Sequence, residues 1–397
     1  MNELNPASVY EFARLGYEAK TCDQAELTRQ LRTFPHLKLE ANSTTILTGA
    51  AGFKSSTLSG FGFWVELGGA RQGEVVLATR GTMDSWADIE TDMDFPCVLG
   101  PTGHPVHQGF QNTFQSYVQQ IEHLIHQRGP NRRPKAIHCI GHSLGGALAN
   151  LNAAAFNELG LTTYLYSLAA PRVGRWTYAE HLSGSLPAAR IRRIANQSDV
   201  VTMVPCFPYM HAPYQHGHVL LDGSMFKISA NQHRLGVGYT SMKNRSWDQL
   251  LRDTQGKQEL LKQRLTGALS AGDGFIEGLS RFTGAMFSGE LLNVLSNALH
   301  LLMKRAGVGG LTSVQFFGTG AFTTLDQIAE ILCSYARGAA KATQQVKLWL
   351  NGVMAFLGRT GQAVADASIG TIRYVFNLLR NALEQLAKQA LQKAQSL

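Results

Sequence analysis

The sequence predicts an α/β fold followed by an α-helical region, and three observations carry that prediction. Short apolar runs alternate with segments of helical period through about residue 240; the strand-like runs then stop; and long, glycine-punctuated segments of helical period fill the remainder. The strand-like runs, rich in β-branched and aromatic residues, fall at 61–67, 74–79, 136–140, 162–168, 190–195 and 218–221. Between them, residues 110–126 carry a helical stripe through Phe114, Tyr117, Val118, Ile121 and Ile125. Past Tyr239 the helical segments are about 247–265, 275–304, 325–357 and 362–395, separated by Gly-rich stretches near 266–274 and 306–320. The reading is therefore two domains, 1–240 and 241–397.

Bulk composition fits packed domains. Hydrophobic residues make up 44% of the 397 and charged residues 16%, far from the composition of a disordered chain. No run of 18 apolar residues occurs, and no repeat of solenoid period. The five cysteines are widely spread with no CxxC pair, which argues against a disulfide framework or zinc knuckle. The first residues, Met1 to Pro6, lack the basic n-region and apolar h-region of a secretory signal, so the expectation is synthesis in the cytoplasm without Sec export. Formal net charge is +8 and is uneven: residues 1–240 hold 19 Lys+Arg against 18 Asp+Glu, residues 241–397 hold 17 against 10. A basic excess of that kind suits an anionic lipid surface or is simply solvated surface. The basic part lacks interleaved aromatics or a nucleic-acid motif, so no nucleic acid is expected as partner.

The chemistry centres on Gly141-His142-Ser143-Leu144-Gly145. A Gly-x-Ser-x-Gly pentapeptide places its serine on a strand-to-helix turn so tight that flanking positions tolerate only hydrogen, leaving the hydroxyl exposed above the sheet. The pentapeptide alone is weak in a chain with 40 glycines. Its context is right: an apolar strand ends at Ile140, and residues 145–156 are small and helix-forming, suited to close packing on a sheet. The Leu144 N–H, at that helix's N-terminus, would face a developing oxyanion.

With four further stretches the chain resembles the class 3 lipases, the fungal-lipase-like branch of the α/β hydrolases. Gly-His-Ser-Leu-Gly-Gly at 141–146 is similar to that family's elbow, and Arg80-Gly81-Thr82 to its oxyanion loop. Val106-His107-Gln108-Gly109-Phe110 resembles its V-H-x-G-F motif, Ala170-Pro171-Arg172-Val173-Gly174 its P-R-V-G turn, and the stretch Arg193 to Asp199 its strand ending in the acid. The resemblance covers about residues 50–239. It implies an α/β-hydrolase fold with a mostly parallel sheet over 1–240, ahead of the helical domain, and a second oxyanion donor at Thr82.

Asp199 lies just past a strand and follows Ser143 in the order Ser, Asp, His, where its role is to hold the imidazole tautomer; Asp222 is the reserve. The base must follow Asp199, which leaves His211, His216, His218, His233 and His300. The resemblance makes His216 structural and places the base at His233, with Tyr239 downstream, although the family's usual His-x-x-Tyr spacing is not kept. His107 and His142 read as packing or bracing residues. Histidines 211, 216 and 218 match no metal-ligand spacing, so no metal or other cofactor is implied.

Residues 83–95 occupy the family's lid segment, with Trp86, Ile89, Met93 and Phe95 near helical spacing; the alternative is that Trp86 and Asp88 brace the oxyanion loop. Over 371–395, Ile372, Val375, Leu378, Leu379, Leu383, Leu386 and Leu391 form one apolar side, with Arg373, Arg380, Lys388 and Lys393 along it. That pattern fits a membrane-surface helix or the seam of a helical bundle. The expected function is ester hydrolysis in lipids, phospholipid before neutral glyceride, with a lipid or membrane surface as partner. The other class is a membrane-perturbing toxin whose helices act without catalysis. Lipases without a signal but with extra helices resemble type VI secretion effectors, which implies a signal-independent route to target-cell membranes and an immunity protein as partner.

Overall fold

The structure, a computed structural model, describes residues 3–394 apart from 35–37, 41–42, 51–57, 82–96, 128–132, 206–208, 214–215, 224–228, 267–294, 296–297, 300, 304, 307–323 and 360–361. Its frame is a seven-stranded sheet in the order β1-β2-β3-β6-β7-β9-β11. The strands are β1 (Thr45–Ala50), β2 (Leu58–Glu66), β3 (Glu74–Thr79), β6 (Ala136–His142), β7 (Thr163–Leu168), β9 (Ile191–Asn196) and β11 (His218–Leu221). β1, β2 and β3 pair antiparallel, and every pair from β3 to β11 is parallel. Parallel strands need helical crossovers, and these cover both faces. That is why β3, β6, β7 and β9 are buried along their whole length. A small antiparallel sheet, β10-β8-β5-β4, is built from β4 (Cys97–Leu99), β5 (Pro105–His107), β8 (Gly174–Arg175) and β10 (Tyr209–Met210). The α/β fold with a mostly parallel sheet is thus what the chain adopts.

One face is covered by α3 (Gln108–Gln127), α4 (Leu144–Glu158) and α5 (Trp176–Ser185), whose apolar residues join Leu77, Ile137, Cys139 and Leu165 from the strands. The other is covered by α1 (Pro6–Glu18), α2 (Gln24–Leu31) and α6 (Trp247–Thr266). Sequence reading did not single out α1 or α2, although α1 opens on a legible cap: the Asn5 side chain accepts from the Ser8 N–H, and Pro6 follows. The start of the chain is stitched down by Leu4, whose N–H donates to the Tyr166 hydroxyl (2.8 Å) and whose carbonyl accepts from Trp247 Nε1 (2.6 Å).

Trp247 and Leu250 belong to this second core, and the Thr254 hydroxyl accepts from the Leu220 N–H at 2.9 Å. The first half of α6 therefore packs with the α/β sheet, and that unit runs past the expected boundary at 240. Of the expected helix at 275–304, all but a few positions lie outside the described residues. The expected segment 325–357 is two helices, α7 (Thr324–Gly338) and α8 (Ala340–Phe356). They part at Ala339, which is extended (φ −164°, ψ 151°), and Thr343 Oγ1 turns back onto the Ala336 carbonyl at 2.6 Å. The last helix, α9 (Ile369–Ala394), starts later than the expected 362, where the Ser368 hydroxyl accepts from the Thr371 N–H.

The apolar stripe of α9 is spent inside the protein. Ile372, Val375, Phe376, Leu379 and Leu383 are buried in the same core as α3, α4, α7 and α8. Arg373 and Arg380 are half-buried, Arg373 reaching Glu330 of α7 at 3.8 Å, and the exposed positions among the described residues include Tyr374, Asn377, Asn381, Gln385 and Gln389. Of the two readings of this helix, its packing is that of the bundle seam. No helix among the described residues is long and apolar enough to cross a membrane.

Burial also sets a pH dependence. His107, beneath α3, accepts the Gly109 N–H on Nδ1 at 3.1 Å, and desolvation pushes its pKa down from 6.5 to about 3. The unfolded chain binds a proton at this site below its ordinary value and the folded chain does not. The stability it contributes is therefore present above about pH 6.5 and lost as pH falls towards about 3. Chemical denaturation between pH 7 and pH 4 is expected to show falling stability on acidification. His107→Asn, which keeps an acceptor for Gly109, should make that fall shallower by up to roughly 1.4 kcal/mol per pH unit.

Candidate active site

The parallel strands end along one edge of the sheet, and the site sits there. β6 runs into α4 through Ser143, whose φ of 59° and ψ of −128° lie in a region that a non-glycine residue occupies only when its surroundings hold it there. The glycines explain how the turn fits. A Cβ on Gly141 would overlap the Gly145 carbonyl, and one on Gly145 would overlap the Thr79 carbonyl at the end of β3. The Ser143 N–H donates to the Leu168 carbonyl of β7 at 2.9 Å, locking the turn to the neighbouring strand.

His233 Nε2 lies 2.8 Å from Ser143 Oγ, and His233 Nδ1 lies 3.0 and 3.1 Å from the two carboxylate oxygens of Asp199. The three side chains are 4%, 1% and 0% exposed. A carboxylate accepts only, so Nδ1 carries the hydrogen and Nε2 is left to accept the serine proton. Asp199 arrives at the end of β9 and also accepts from the Val201 N–H (2.9 Å) and the Tyr239 hydroxyl (2.6 Å). Burial, then the carboxylate beside it, raises the Tyr239 pKa, so this hydroxyl stays protonated and keeps donating.

The other histidines following Asp199 are elsewhere. His211 contacts Arg193 (2.6 Å), His216 lies 3.4 Å from the Leu186 carbonyl, His218 opens β11, and His300 lies outside the described residues. Asp222, the reserve acid, is 74% exposed and pairs with Lys257 at 2.8 Å. Its carboxyl is held below the usual range, chiefly by the hydrogen bond from Lys257.

Two residues that sequence reading did not assign a role hold the site together. Tyr239 is one, and its signal was only a tyrosine downstream of the base at an unfamiliar spacing. Asn196 is the other: its Nδ2 donates to the carbonyls of Asp222 (2.8 Å) and Gly238 (3.1 Å) and to Gln232 Oε1 (3.1 Å), while its Oδ1 accepts from the Ser198 N–H (2.9 Å). It clamps the loop carrying the acid to the loop carrying the base. His142 braces from below. Its Nε2–H donates to the His233 carbonyl (2.9 Å) and its Nδ1 accepts from the Tyr17 hydroxyl (2.7 Å), and burial pushes its pKa down to about 3, so it stays neutral.

On the oxyanion side, the Leu144 N–H opens α4, a 15-residue helix whose dipole adds partial positive charge there. Gly81 lies against the nucleophile, since a Cβ on it would stand 3.2 Å from Ser143 Cβ. The Arg80 guanidinium holds this loop, donating to the Gly81 carbonyl (3.0 Å), to Ser59 Oγ (2.8 Å) and to the Gly60 carbonyl. Thr82 follows at once, but it and the lid segment 83–95 lie outside the described residues.

Comparison with known families gives a match of residues 76–209 to the lipase (class 3) family. That stretch runs from β3 through the elbow and past Asp199. The chain carries a class 3 lipase domain. It is similar to a secreted mono- and diacylglycerol lipase of Fusarium solani, 28% identical over 180 residues, covering 44% of this chain and 51% of that protein. It is also similar to phospholipase A1-II 4 of Oryza sativa subsp. japonica, 31% identical over 164 residues, covering 34% and 41%. The lipase domain thus spans about half the length of these relatives, or less. Among solved structures it is similar to the Aspergillus oryzae mono- and diacylglycerol lipase, at 23% identity and a TM-score of 0.40 over 52% of this chain and 75% of that one. A second is the Yarrowia lipolytica LIP2 lipase, at 20% and 0.41 over 56% and 79%.

Tyr239→Phe removes a hydrogen bond to a buried carboxylate and is expected to lower the unfolding free energy of the lipase domain by about 1.5–3 kcal/mol, read by chemical denaturation. An unchanged midpoint would show that the tyrosine does not support Asp199.

Proposed function

We propose that the chain is a serine esterase that cleaves carboxylic ester bonds in lipids through an acyl-enzyme at Ser143, with Asp199 and His233 completing the triad. The observation that carries this reading is the short line from Asp199 through His233 to Ser143 Oγ, in the tautomer that general-base catalysis requires. His233 Nε2 takes the hydroxyl proton as Oγ attacks the ester carbonyl carbon. Asp199 stabilises the imidazolium, and the Leu144 N–H, joined by Thr82 as the resemblance implies, holds the oxyanion. His233 then protonates the departing alcohol. Water, deprotonated by the same imidazole, attacks the acyl-enzyme and frees the fatty acid.

For substrate we propose phospholipids, cleaved at an acyl ester, with neutral glycerides second. The excess of Lys and Arg over residues 241–397 supports this order, as does the similarity to a protein named phospholipase A1. From the resemblance alone, we propose delivery to target-cell membranes by a signal-independent route, with an immunity protein as partner.

Mass spectrometry of products from mixed phospholipid and glyceride vesicles tests the reading. Wild type is expected to release fatty acid and lysophospholipid, and Ser143→Ala to lose turnover by a factor on the order of 10⁴–10⁶. Acyl release surviving the substitution would overturn the serine mechanism. Membrane damage surviving it would favour the helices acting without catalysis.

A further inference from the structure

Ser143, Asp199 and His233 are 4%, 0% and 1% exposed. An ester must bring its carbonyl carbon to about 3–3.5 Å from Oγ before attack, with an acyl chain attached. The packing around these buried side chains therefore has to yield to the acyl chain.

Helix α9 belongs to that packing. It packs on the turn Ala230–His233, which ends in the base, and on the turn Val200–Met203, which directly follows the acid. Val200, Val201, Met203 and Val204 share one apolar core with Ile372, Val375, Phe376, Leu379 and Leu383 of α9. Arg373 of α9 pairs with Glu330 of α7, and Phe376 packs on Trp349 of α8 (5.3 Å between centroids). Gly358, in the left-handed region at φ 72°, ends α8, and residues 362–368 lead into α9 without regular structure.

Resting on the esterase reading above, we propose that α9 is a displaceable cover of the catalytic base, whose apolar face exchanges the Val200–Met203 and Ala230–His233 turns for a lipid surface. In water this exchange would expose apolar area on both sides and is unfavourable; against a lipid aggregate the same area stays out of water. The apolar face, with Ile372, Val375, Phe376, Leu379 and Leu383, is what the helix offers such a surface.

The experiment is the rate at which a fluorophosphonate labels Ser143 in the full chain, without and with vesicles of zwitterionic dialkyl-ether phosphatidylcholine, which has no ester to cleave. Wild type is expected to label at least tenfold faster with vesicles. A chain ending at Ser368 is expected to label at the fast rate with or without them. Because that chain exposes apolar core, Leu379→Glu in the full chain is the second variant, its fold checked by near-ultraviolet circular dichroism, and it is expected to label faster without vesicles. Vesicle acceleration that persists undiminished in both variants assigns the cover to another segment and overturns the proposal, as does slower labelling of folded Leu379→Glu. No labelling of wild type under any condition would instead sink the esterase reading.

Discussion

The buried carboxylate of Asp199 is the constraint on which the rest of the site depends. A charge with no exposed surface is tolerated only when its oxygens are satisfied, and here His233, Tyr239 and the Val201 N–H do so. Each donor comes from a different stretch of chain. The loop holding His233 and the segment holding Tyr239 must therefore close over the end of β9, and Asn196 ties them down with three donated bonds. The same arrangement fixes chemistry: the carboxylate accepts the hydrogen bond from Nδ1–H, which leaves Nε2 able to accept.

The sheet supplies the coincidence of place. β3, β6, β7, β9 and β11 are parallel, so their ends present Gly81, Ser143, Ala169, Asp199 and the loop to His233 on one edge. Close approach of β3 to the elbow then demands glycine, because Cβ atoms at 141 and 145 would occupy carbonyl oxygens. The strained serine is held by bonds on either side, its own N–H to β7 and its carbonyl accepting from Gly146 at 2.9 Å. Neutral His142 makes the nucleophile turn and the base loop a single unit, since its ring bridges Tyr17 and the His233 carbonyl.

Much of this was legible in the sequence. Two-face burial gave β3, β6, β7 and β9 their unbroken apolar character, and the tight turn demanded its glycines, so the α/β layout and Ser143 could be read directly. The acid followed from the motif around β9. His233 needed the family's ordering, because nothing local distinguishes it from four other histidines. Tyr239 and Asn196 escaped for a physical reason: their importance lies in what they reach across 40 and 26 to 42 residues of sequence, and a hydrogen bond at that separation leaves no local periodicity. The break at Ala339 did carry a local signal, since Gly338, a poor helix former common at helix ends, stands directly before it; the long run of helix formers around it masked that signal.

The apolar stripe of α9 shows where a sequence pattern runs out. Periodicity states that one side of a helix must leave water, not what it leaves water for, and a membrane helix and a bundle helix share the pattern. Burying five such side chains is worth roughly 10 kcal/mol at about 1.5–3 kcal/mol each, comparable with the whole stability of a domain. A helix that buries that much apolar surface in a core shared with α7, α8 and the turn Val200–Met203 is an integral part of the packing. Whether it stays or leaves, its partner must be apolar.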